Sequence, residues 1–172
     1  RNLIGGLLEL ARSDDQRLER GPVQLDELVE DSVESARSRF PKVAFDATLE
    51  PTTVEGTRDR LERAVWNLLE NAGKWSPEGS TVEVTLADGE LRVRDHGPGI
   101  APDDRALVFD RFYRSAGARS MPGSGLGLAI VREVAEAHGG TVTAEEAPGG
   151  GTLMRLSLDG TRNGSTPDAE NS

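Results

Sequence analysis

The sequence predicts an α+β fold: a two-layer α/β sandwich in which a mixed sheet is covered on one face by helices. Two observations predict it. Stretches with the 3.6-residue period of amphipathic helices alternate with stretches of period two, which is typical of strands that bury one face. The strands come mostly in pairs joined by short Gly-containing turns, and such hairpins form antiparallel pairs. The 172 residues suffice for one domain with its own core.

The first half of the chain carries two helix patterns and one strand pattern. Apolar residues at helical spacing predict a helix over residues 25–40, and alternation over residues 43–49 predicts a strand. Thr57 is a suitable N-cap for a second helix, which runs to about Lys74. The apolar stripe of that helix consists of Leu61, Ala64, Val65, Leu68 and Ala72. Each helix therefore has one face to bury against a sheet.

The second half contains two predicted hairpins. Residues 81–95 alternate on either side of an Asp88-Gly89 turn, and residues 141–158 alternate on either side of a Gly-rich turn around residues 148–151. These four strands make antiparallel pairing the main feature of the sheet.

An irregular segment and a third helix separate the hairpins. Residues 97–124 are rich in Gly and Pro and show no periodicity. A helix is predicted from about Gly125 to His138, where Gly139-Gly140 ends it.

We expect four segments along the chain. Leucines at helical spacing make residues 1–12 look like the end of a longer helix, and residues 13–22 form a charged linker that ends in a Gly-Pro turn. Residues 23–158 form the domain. Residues 159–172 lack periodicity and are expected to be a flexible tail. Because the chain starts with Arg1 rather than Met, we expect a piece of a longer protein.

Composition excludes several classes of function. The 30 acidic and 20 basic residues give a net charge of -10, which argues against a general nucleic-acid binder. Without cysteine, the chain has no disulfide framework, thiol nucleophile or Cys-based zinc site, and its two histidines argue against a multi-His metal site. No apolar run is long enough to predict a membrane-spanning helix.

The first candidate site is a polar stripe on the helix predicted over residues 57–74. Asn67, Asn71 and Lys74 lie at i, i+4 and i+7 on one side of it, and Glu70 lies on the same side. Asparagine is a poor helix former, so two of them within a helix cost stability. Amide oxygens can ligate Mg²⁺, and an ammonium group can meet phosphate. The alternative is an ordinary solvated polar face.

The second candidate is Asp95, which continues the inward alternation of Leu91 and Val93. A carboxylate is thereby placed where an apolar residue is expected, and a buried carboxylate needs a hydrogen-bond partner. A ligand N–H, such as the adenine amino group, would supply one. Gly97 and Gly99 follow directly. The alternative is a capping Asp in an ordinary turn.

Two further motifs flank the irregular segment. Glycines in GSGLGL (123–128) allow close approach of a phosphate, and the helix that they open offers free N–H groups. FDRFYR (109–114) supplies Arg111 and Arg114 as candidate phosphate contacts, with a packed turn and solvated arginines as the alternative. The aromatic residues expected to anchor this loop are Phe109, Phe112 and Tyr113. No Gly-Lys-Ser/Thr follows a glycine-rich loop, so a P-loop is excluded.

In their order and spacing, these motifs resemble the N, G1, F and G2 boxes of the ATP-binding domain of two-component sensor histidine kinases. The matching segments are NLLENAGKW (67–75), DHGPGI (95–100), FDRFYR (109–114), GSGLGL (123–128) and the hairpin segment HGGTVTAEEAPGGGT (138–152). The resemblance covers about residues 20–158. The F box separates this family from the topoisomerases, Hsp90 chaperones and mismatch-repair ATPases of the same GHKL superfamily.

The resemblance implies the left-handed sandwich of the Bergerat ATP-binding fold, with ATP and Mg²⁺ as cofactors beneath a lid formed by residues 101–124. Asn71 would ligate Mg²⁺. Asn67 would support that site and Lys74 would meet the phosphates, which makes these two the expected catalytic residues. Asp95 would accept from the adenine amino group. The other implied nucleotide contacts are Gly97, Gly99, Arg111, Arg114, Gly123, Gly125, Leu126, Gly127 and Thr152.

One substitution bears on the reaction. Hydrolysing relatives carry a catalytic Glu four residues before the metal-binding Asn, where this chain has Asn67, and an amide cannot act as a general base. ATP is therefore expected to be held without efficient hydrolysis, which suits a kinase. The alternatives are an ATP-hydrolysing machine of the superfamily, a serine kinase that sequesters a sigma factor, and a module that only binds nucleotide.

The reaction implied by the resemblance is transfer of the γ-phosphate to a histidine on the dimerisation domain of the same protein. The motif that carries this histidine is missing, and residues 1–12 resemble only the end of the second helix of the dimerisation and phosphotransfer hairpin. His96 and His138 are expected to be structural or incidental. We therefore expect a monomeric or weakly associating fragment that binds ATP but does not phosphorylate itself.

The implied partners are that dimerisation domain and a cognate response regulator, with no nucleic acid and no direct membrane contact of this fragment. The parent is expected to be a membrane-anchored bacterial sensor whose kinase part faces the cytoplasm.

Overall fold

The computed structural model describes residues 20–110, 127–158 and 160–162. In these ranges the helices are α1 (Leu25–Arg39), α2 (Arg58–Trp75) and α3 (Gly127–Ala137), and a short 3-10 helix spans Leu107–Phe109. The strands are β1 (Gly21–Gln24), β2 (Ala44–Leu49), β3 (Thr52–Gly56), β4 (Thr81–Ala87), β5 (Glu90–Arg94), β6 (Thr141–Glu146), β7 (Thr152–Ser157) and β8 (Gly160–Arg162). No helix in the described ranges is both long and apolar enough to cross a membrane.

The main sheet has five strands in the order β2-β4-β5-β7-β6. β2 runs parallel to β4, and the other neighbours are antiparallel, so the predicted mixed sheet is confirmed. Both predicted hairpins are present. In the first, Asp88 and Gly89 take φ values of 56° and 73°, the left-handed conformation that a two-residue hairpin turn requires.

A second sheet of three strands, in the order β1-β3-β8, was not predicted. β1 includes two residues that we expected in the linker. β8 lies in the tail that we expected to be flexible, and Gly160 pairs with Val54 of β3. The sequence gives little sign of these strands because each is only three to five residues long. Their pairing depends on partners that are distant in the chain rather than on a local turn.

The core lies between the five-stranded sheet and the three helices. Alternate residues of β4 and β5 are buried on one face, namely Val82, Val84, Leu86, Leu91 and Val93. The whole predicted stripe of α2 is buried against them. On the other face of the sheet, Glu83 of β4 and Arg92 of β5 are exposed. The helices therefore cover one face of the sheet, as predicted, and burial of both apolar surfaces holds the two layers together.

His138 links two of the helices at the end opposite to the candidate site residues. Its Nδ1 donates to the Val134 carbonyl at 2.7 Å, and its Nε2 accepts from the Thr57 backbone N–H at 3.0 Å. Thr57 occupies the N-cap position of α2, as predicted. His138 is buried, and both of its hydrogen bonds within the described part of the chain go to backbone groups, which agrees with the structural role expected for it.

Candidate nucleotide-binding site

The polar stripe of α2 faces the beginning of α3. A Cβ atom added to Gly127 would lie 3.3 Å from Oδ1 of Asn67, so the first residue of α3 packs closely on this amide. Asn67, Asn71 and Lys74 are all partly buried, which differs from the fully solvated face that was the alternative. Lys74 Nζ lies 3.9 Å from Oε1 of Glu70. The stripe thus brings the Asn67 amide next to the start of α3, with the Asn71 amide and the Lys74 ammonium group further along the same side of α2.

Asp95 lies directly after β5 and is only 3% exposed. Its Oδ1 accepts two backbone hydrogen bonds, from Gly97 N–H at 2.9 Å and from Thr152 N–H at 3.1 Å. Burial raises the pKa of this carboxyl, and the two backbone donors oppose that rise, as do the nearby charges of His96 and Arg94. Among the described residues, both hydrogen bonds go to the same oxygen, and Oδ2 is left for another donor.

Close backbone contacts shape the surroundings of Asp95. A Cβ atom on Gly97 would lie 2.6 Å from the Trp75 carbonyl oxygen, and one on Gly151 would lie 2.1 Å from the Asp95 carbonyl oxygen. Gly99 takes φ +82°, which favours glycine. The end of α2, the segment after β5 and the turn before β7 therefore meet around one carboxylate.

Thr152 begins β7 and is buried beside Asp95. Its carbonyl accepts from the Asp95 N–H at 2.9 Å, so backbone hydrogen bonds join the two residues in both directions. The turn that leads to Thr152 holds Gly149, Gly150 and Gly151 with φ values of 85°, 106° and 87°. Asp95 and the first residue of β7 are thus in direct contact.

Part of the predicted site lies outside the described residues: Arg111, Arg114, Gly123, Gly125 and Leu126. Of the predicted lid, residues 101–110 are described, and Phe109, one of the three expected aromatic anchors, is buried there. Arg132 of α3 donates to Asp110 Oδ1 at 3.1 Å. This ion pair ties the segment after the 3-10 helix to α3.

Two contacts of the site were not predicted from the sequence. The guanidinium of Arg94 reaches the turn between β6 and β7. The Trp75 carbonyl oxygen packs against Gly97. An arginine that alternates with apolar residues on a strand reads as an ordinary solvent-facing residue, so the sequence carries no signal for the first. The second depends on a contact between two elements.

The described residues hold no group of three or more His, Asp or Glu side chains able to bind a metal ion. A divalent cation at the α2 stripe would therefore have to take most of its oxygens from a ligand. Magnesium commonly binds in this way, with one or two protein oxygens and the rest from phosphates and water. Asn71, an oxygen donor on a partly buried helix face, fits such a site.

A family profile described as "Histidine kinase-, DNA gyrase B-, and HSP90-like ATPase" matches residues 56–162. The match begins at the end of β3 and ends with β8. It therefore includes the α2 stripe, Asp95, the start of α3 and Thr152.

The chain is similar to signal transduction histidine-protein kinase/phosphatases named MprB. It is 48% identical to that of Mycolicibacterium vanbaalenii over an alignment of 167 residues that covers 92% of this chain and 34% of the relative. It is 46% identical to that of Mycobacterium avium, over 92% of this chain and 32% of the relative. The chain spans about a third of the length of these relatives.

Solved structures of histidine kinases have a similar fold. The mycobacterial sensor histidine kinase MprB aligns with a TM-score of 0.78 and 46% identity, over 83% of this chain and 99% of that one. The cytoplasmic segment of histidine kinase QseC aligns with a TM-score of 0.64 and 30% identity, over 91% of this chain and 89% of that one.

Proposed function

The chain belongs to the family of histidine kinase-, DNA gyrase B- and HSP90-like ATPases, as the ATP-binding catalytic domain of a sensor histidine kinase, and from that premise we propose what its residues do. The domain binds ATP together with Mg²⁺ and donates the γ-phosphate to a histidine on the dimerisation domain of the same protein. The observation that carries this proposal is the buried Asp95, which has one oxygen fixed by the backbone and the other available to a ligand.

Asp95 recognises the adenine base. Because Gly97 N–H and Thr152 N–H hold Oδ1, the carboxylate cannot rotate freely, and Oδ2 is directed by the backbone. An exocyclic amino group donates to such an oxygen, whereas a carbonyl at the same position of the base would be repelled. The wall around the base is completed by Gly97, Gly99 and Thr152. Position 97 requires glycine, because any larger residue there would meet the Trp75 carbonyl.

The α2 stripe and the start of α3 receive the phosphates. Asn71 supplies an amide oxygen to Mg²⁺, and Asn67 supports it from one turn earlier. Lys74 contributes a positive charge and exchanges Glu70 for a phosphate oxygen as its counter-charge. Gly127 lies at the N-terminus of an 11-residue helix, where free N–H groups and the helix dipole favour an anion. Arg111, Arg114, Gly123, Gly125 and Leu126 are proposed to add contacts from the glycine-rich side.

Magnesium would neutralise charge on the phosphates and align the γ-phosphoryl group when bound. The role of the chain is to orient the nucleotide and to avoid activating water. Asn67 occupies the position of a catalytic Glu in hydrolysing relatives, and an amide does not accept a proton. Glu70, a carboxylate on the same side of α2, is paired with Lys74. ATP is therefore preserved until an acceptor histidine approaches in line with the bond to the β-phosphate.

We further propose the setting of this reaction. The partners are the dimerisation and phosphotransfer domain of the parent and a cognate response regulator, without nucleic acid and without direct membrane contact of this domain. The parent is a membrane-anchored bacterial sensor with its kinase part in the cytoplasm. The net charge of -10 opposes the approach of ATP at long range, but screening limits this repulsion to about 8 Å at physiological salt, so the close contacts decide whether ATP binds.

The test is a titration of the chain with ATP, with and without Mg²⁺, followed by tryptophan fluorescence. Of the two tryptophans, Trp75 lies beside Gly97 and reports on the site. The same samples are assayed for ATP hydrolysis and for acid-labile phosphate on the protein. Mg²⁺-assisted binding, negligible hydrolysis and no self-labelling are expected, with phosphate transfer once the dimerisation domain is added. Rapid hydrolysis would favour an ATP-driven machine, and absence of ATP binding would refute the proposal.

A further inference from the structure

Arg94 is the last residue of β5, and its side chain reaches the turn between β6 and β7. Its Nη2 atom donates to the Pro148 carbonyl at 2.5 Å and to the Gly150 carbonyl at 3.3 Å. Arg94 immediately precedes Asp95 in the chain. One side chain therefore joins the strand that carries the buried carboxylate to the turn that forms the opposite wall.

The turn needs such a restraint. Three consecutive glycines have φ values between 85° and 106°, and glycine loses more conformational entropy on ordering than any other residue. Within the turn, the backbone hydrogen bonds are Ala147 N–H to the Gly151 carbonyl and Gly150 N–H to the Ala147 carbonyl. Both of these bonds involve Ala147. The Arg94 guanidinium is the contact that fixes the outer part of the turn to β5, since it holds the carbonyls on either side of Gly149.

The position of the turn determines the geometry around Asp95. Gly151 lies so close that a Cβ atom on it would be 2.1 Å from the Asp95 carbonyl oxygen. The next residue, Thr152, donates its N–H to Asp95 Oδ1 at 3.1 Å. A displacement of the turn would weaken this bond and loosen the carboxylate from the orientation in which Oδ2 meets a ligand.

We infer that Arg94 is a positioning residue for base recognition: by clamping the Pro148–Gly150 carbonyls it fixes Thr152 N–H and thereby the direction of the Asp95 carboxylate. This inference rests on the proposed function, because it assigns a residue to the adenine selectivity of the same site. Arg94 does not itself contact the nucleotide. Its removal should weaken recognition of the base and leave the phosphate contacts unchanged.

The experiment compares Arg94→Met with Arg92→Met in the full chain. Both arginines lie on β5 and two residues apart, so both side chains leave the same face of the sheet, and both changes remove one positive charge. Arg92 pairs with Glu90 at 2.5 Å and lies opposite Arg155 in the sheet, further from the turn than Arg94, which lies opposite Leu153. Affinities are measured for ATP and for inosine triphosphate, which has a carbonyl where adenine has its amino group.

In the wild type, ATP should bind more tightly than inosine triphosphate. Arg94→Met should weaken ATP binding about tenfold, the effect of losing charged hydrogen bonds, while inosine triphosphate binding stays nearly unchanged. The preference for ATP then falls about tenfold, and Arg94→Lys, which retains a donor, should restore part of it. Arg92→Met should keep the preference of the wild type.

Two results would overturn the inference alone: an ATP preference in Arg94→Met equal to that of Arg92→Met, or an equal loss of affinity for both nucleotides. The second would mean that Arg94 supports the fold in general. A wild-type chain that binds neither nucleotide would instead refute the proposed function, and the inference with it.

Discussion

The Nε2 atom of His138, just after α3, accepts a hydrogen bond from the backbone N–H of Thr57, the N-cap residue of α2, at 3.0 Å. The bond joins the two helices that carry the candidate phosphate site, at their far ends from that site. A Cβ atom on Gly56 would lie 2.4 Å from the His138 ring, so the imidazole fills its position closely. The acceptor role of Nε2 requires a neutral ring.

Stability should therefore fall as the solution becomes acidic. Burial lowers the pKa of His138, so the folded state binds a proton less readily than the unfolded chain. The stability that the neutral His138 ring provides is fully present above the unfolded pKa of about 6.5. It is lost as the pH falls through the lower pKa of the folded state. The free energy of unfolding, measured with urea between pH 8 and pH 5, should show this loss.

The only other histidine in the sequence provides the control. His96 is exposed, and His96→Gln should keep the acid-dependent loss, whereas His138→Gln should reduce it. His138→Ala should cost about 1–3 kcal/mol at neutral pH, because it leaves the Thr57 N–H without its acceptor. An unchanged pH profile in His138→Gln would assign the acid sensitivity to carboxyl groups.

Asp95→Asn should separate binding from stability. The amide oxygen can still accept from Gly97 and Thr152, but an NH₂ group replaces the oxygen that faces the base, so ATP affinity should fall at least tenfold. Because burial raises the pKa of Asp95, this group adds to the free energy of unfolding at low pH, where it is protonated. That contribution is lost as the pH rises through the raised pKa.

At neutral pH, Asp95→Asn should consequently have a melting temperature equal to or above that of the wild type. Calorimetric melting and ATP titration of the same preparation measure both properties. Retained ATP affinity would remove Asp95 from the adenine site, and a large drop in melting temperature would mean that the carboxylate stabilises the fold.

Asn71→Ala should abolish the Mg²⁺-dependent part of ATP binding. The change removes the proposed oxygen ligand from a partly buried position and replaces it by the best helix former, so α2 should not lose helix propensity. ATP titrations with Mg²⁺ and with EDTA give the difference. Glu62→Ala, an exposed change on the same helix, should leave that difference intact, and a similar effect of both variants would contradict the assignment.

Gly97→Ala should weaken both the fold and the site. Its Cβ atom would lie 2.6 Å from the Trp75 carbonyl, and a backbone atom can give way only if the end of α2 moves. Overpacking of this kind costs about 1–3 kcal/mol. Gly21→Ala is the matched control, since a Cβ atom there meets nothing within 4 Å. In urea denaturation, Gly97→Ala should lower the free energy of unfolding, and Gly21→Ala should leave it almost unchanged.

Much of the fold follows from local patterns. The stripe of α2 was predictable because five apolar residues recur at helical spacing, and the first hairpin because Asp88-Gly89 separates two alternating strands. The second sheet was not predictable, because β1, β3 and β8 are short and gain their hydrogen bonds only from each other. The same holds for Arg94, whose partners lie more than fifty residues away in the chain.

The sequence by itself determined the two-layer class, the three helices, the hairpins and the residue types available for nucleotide binding. These depend on periodicity and turn chemistry, which act over a few residues. Tertiary structure alone decided that Asp95 shares its Oδ1 between Gly97 and Thr152, that Arg94 clamps the glycine turn and that His138 joins α3 to α2. Apart from the local bond between Gly97 and Asp95, each of these is a hydrogen bond between elements that are more than fifty residues apart, and its geometry is fixed only when the layers pack and exclude water from the groups that bond.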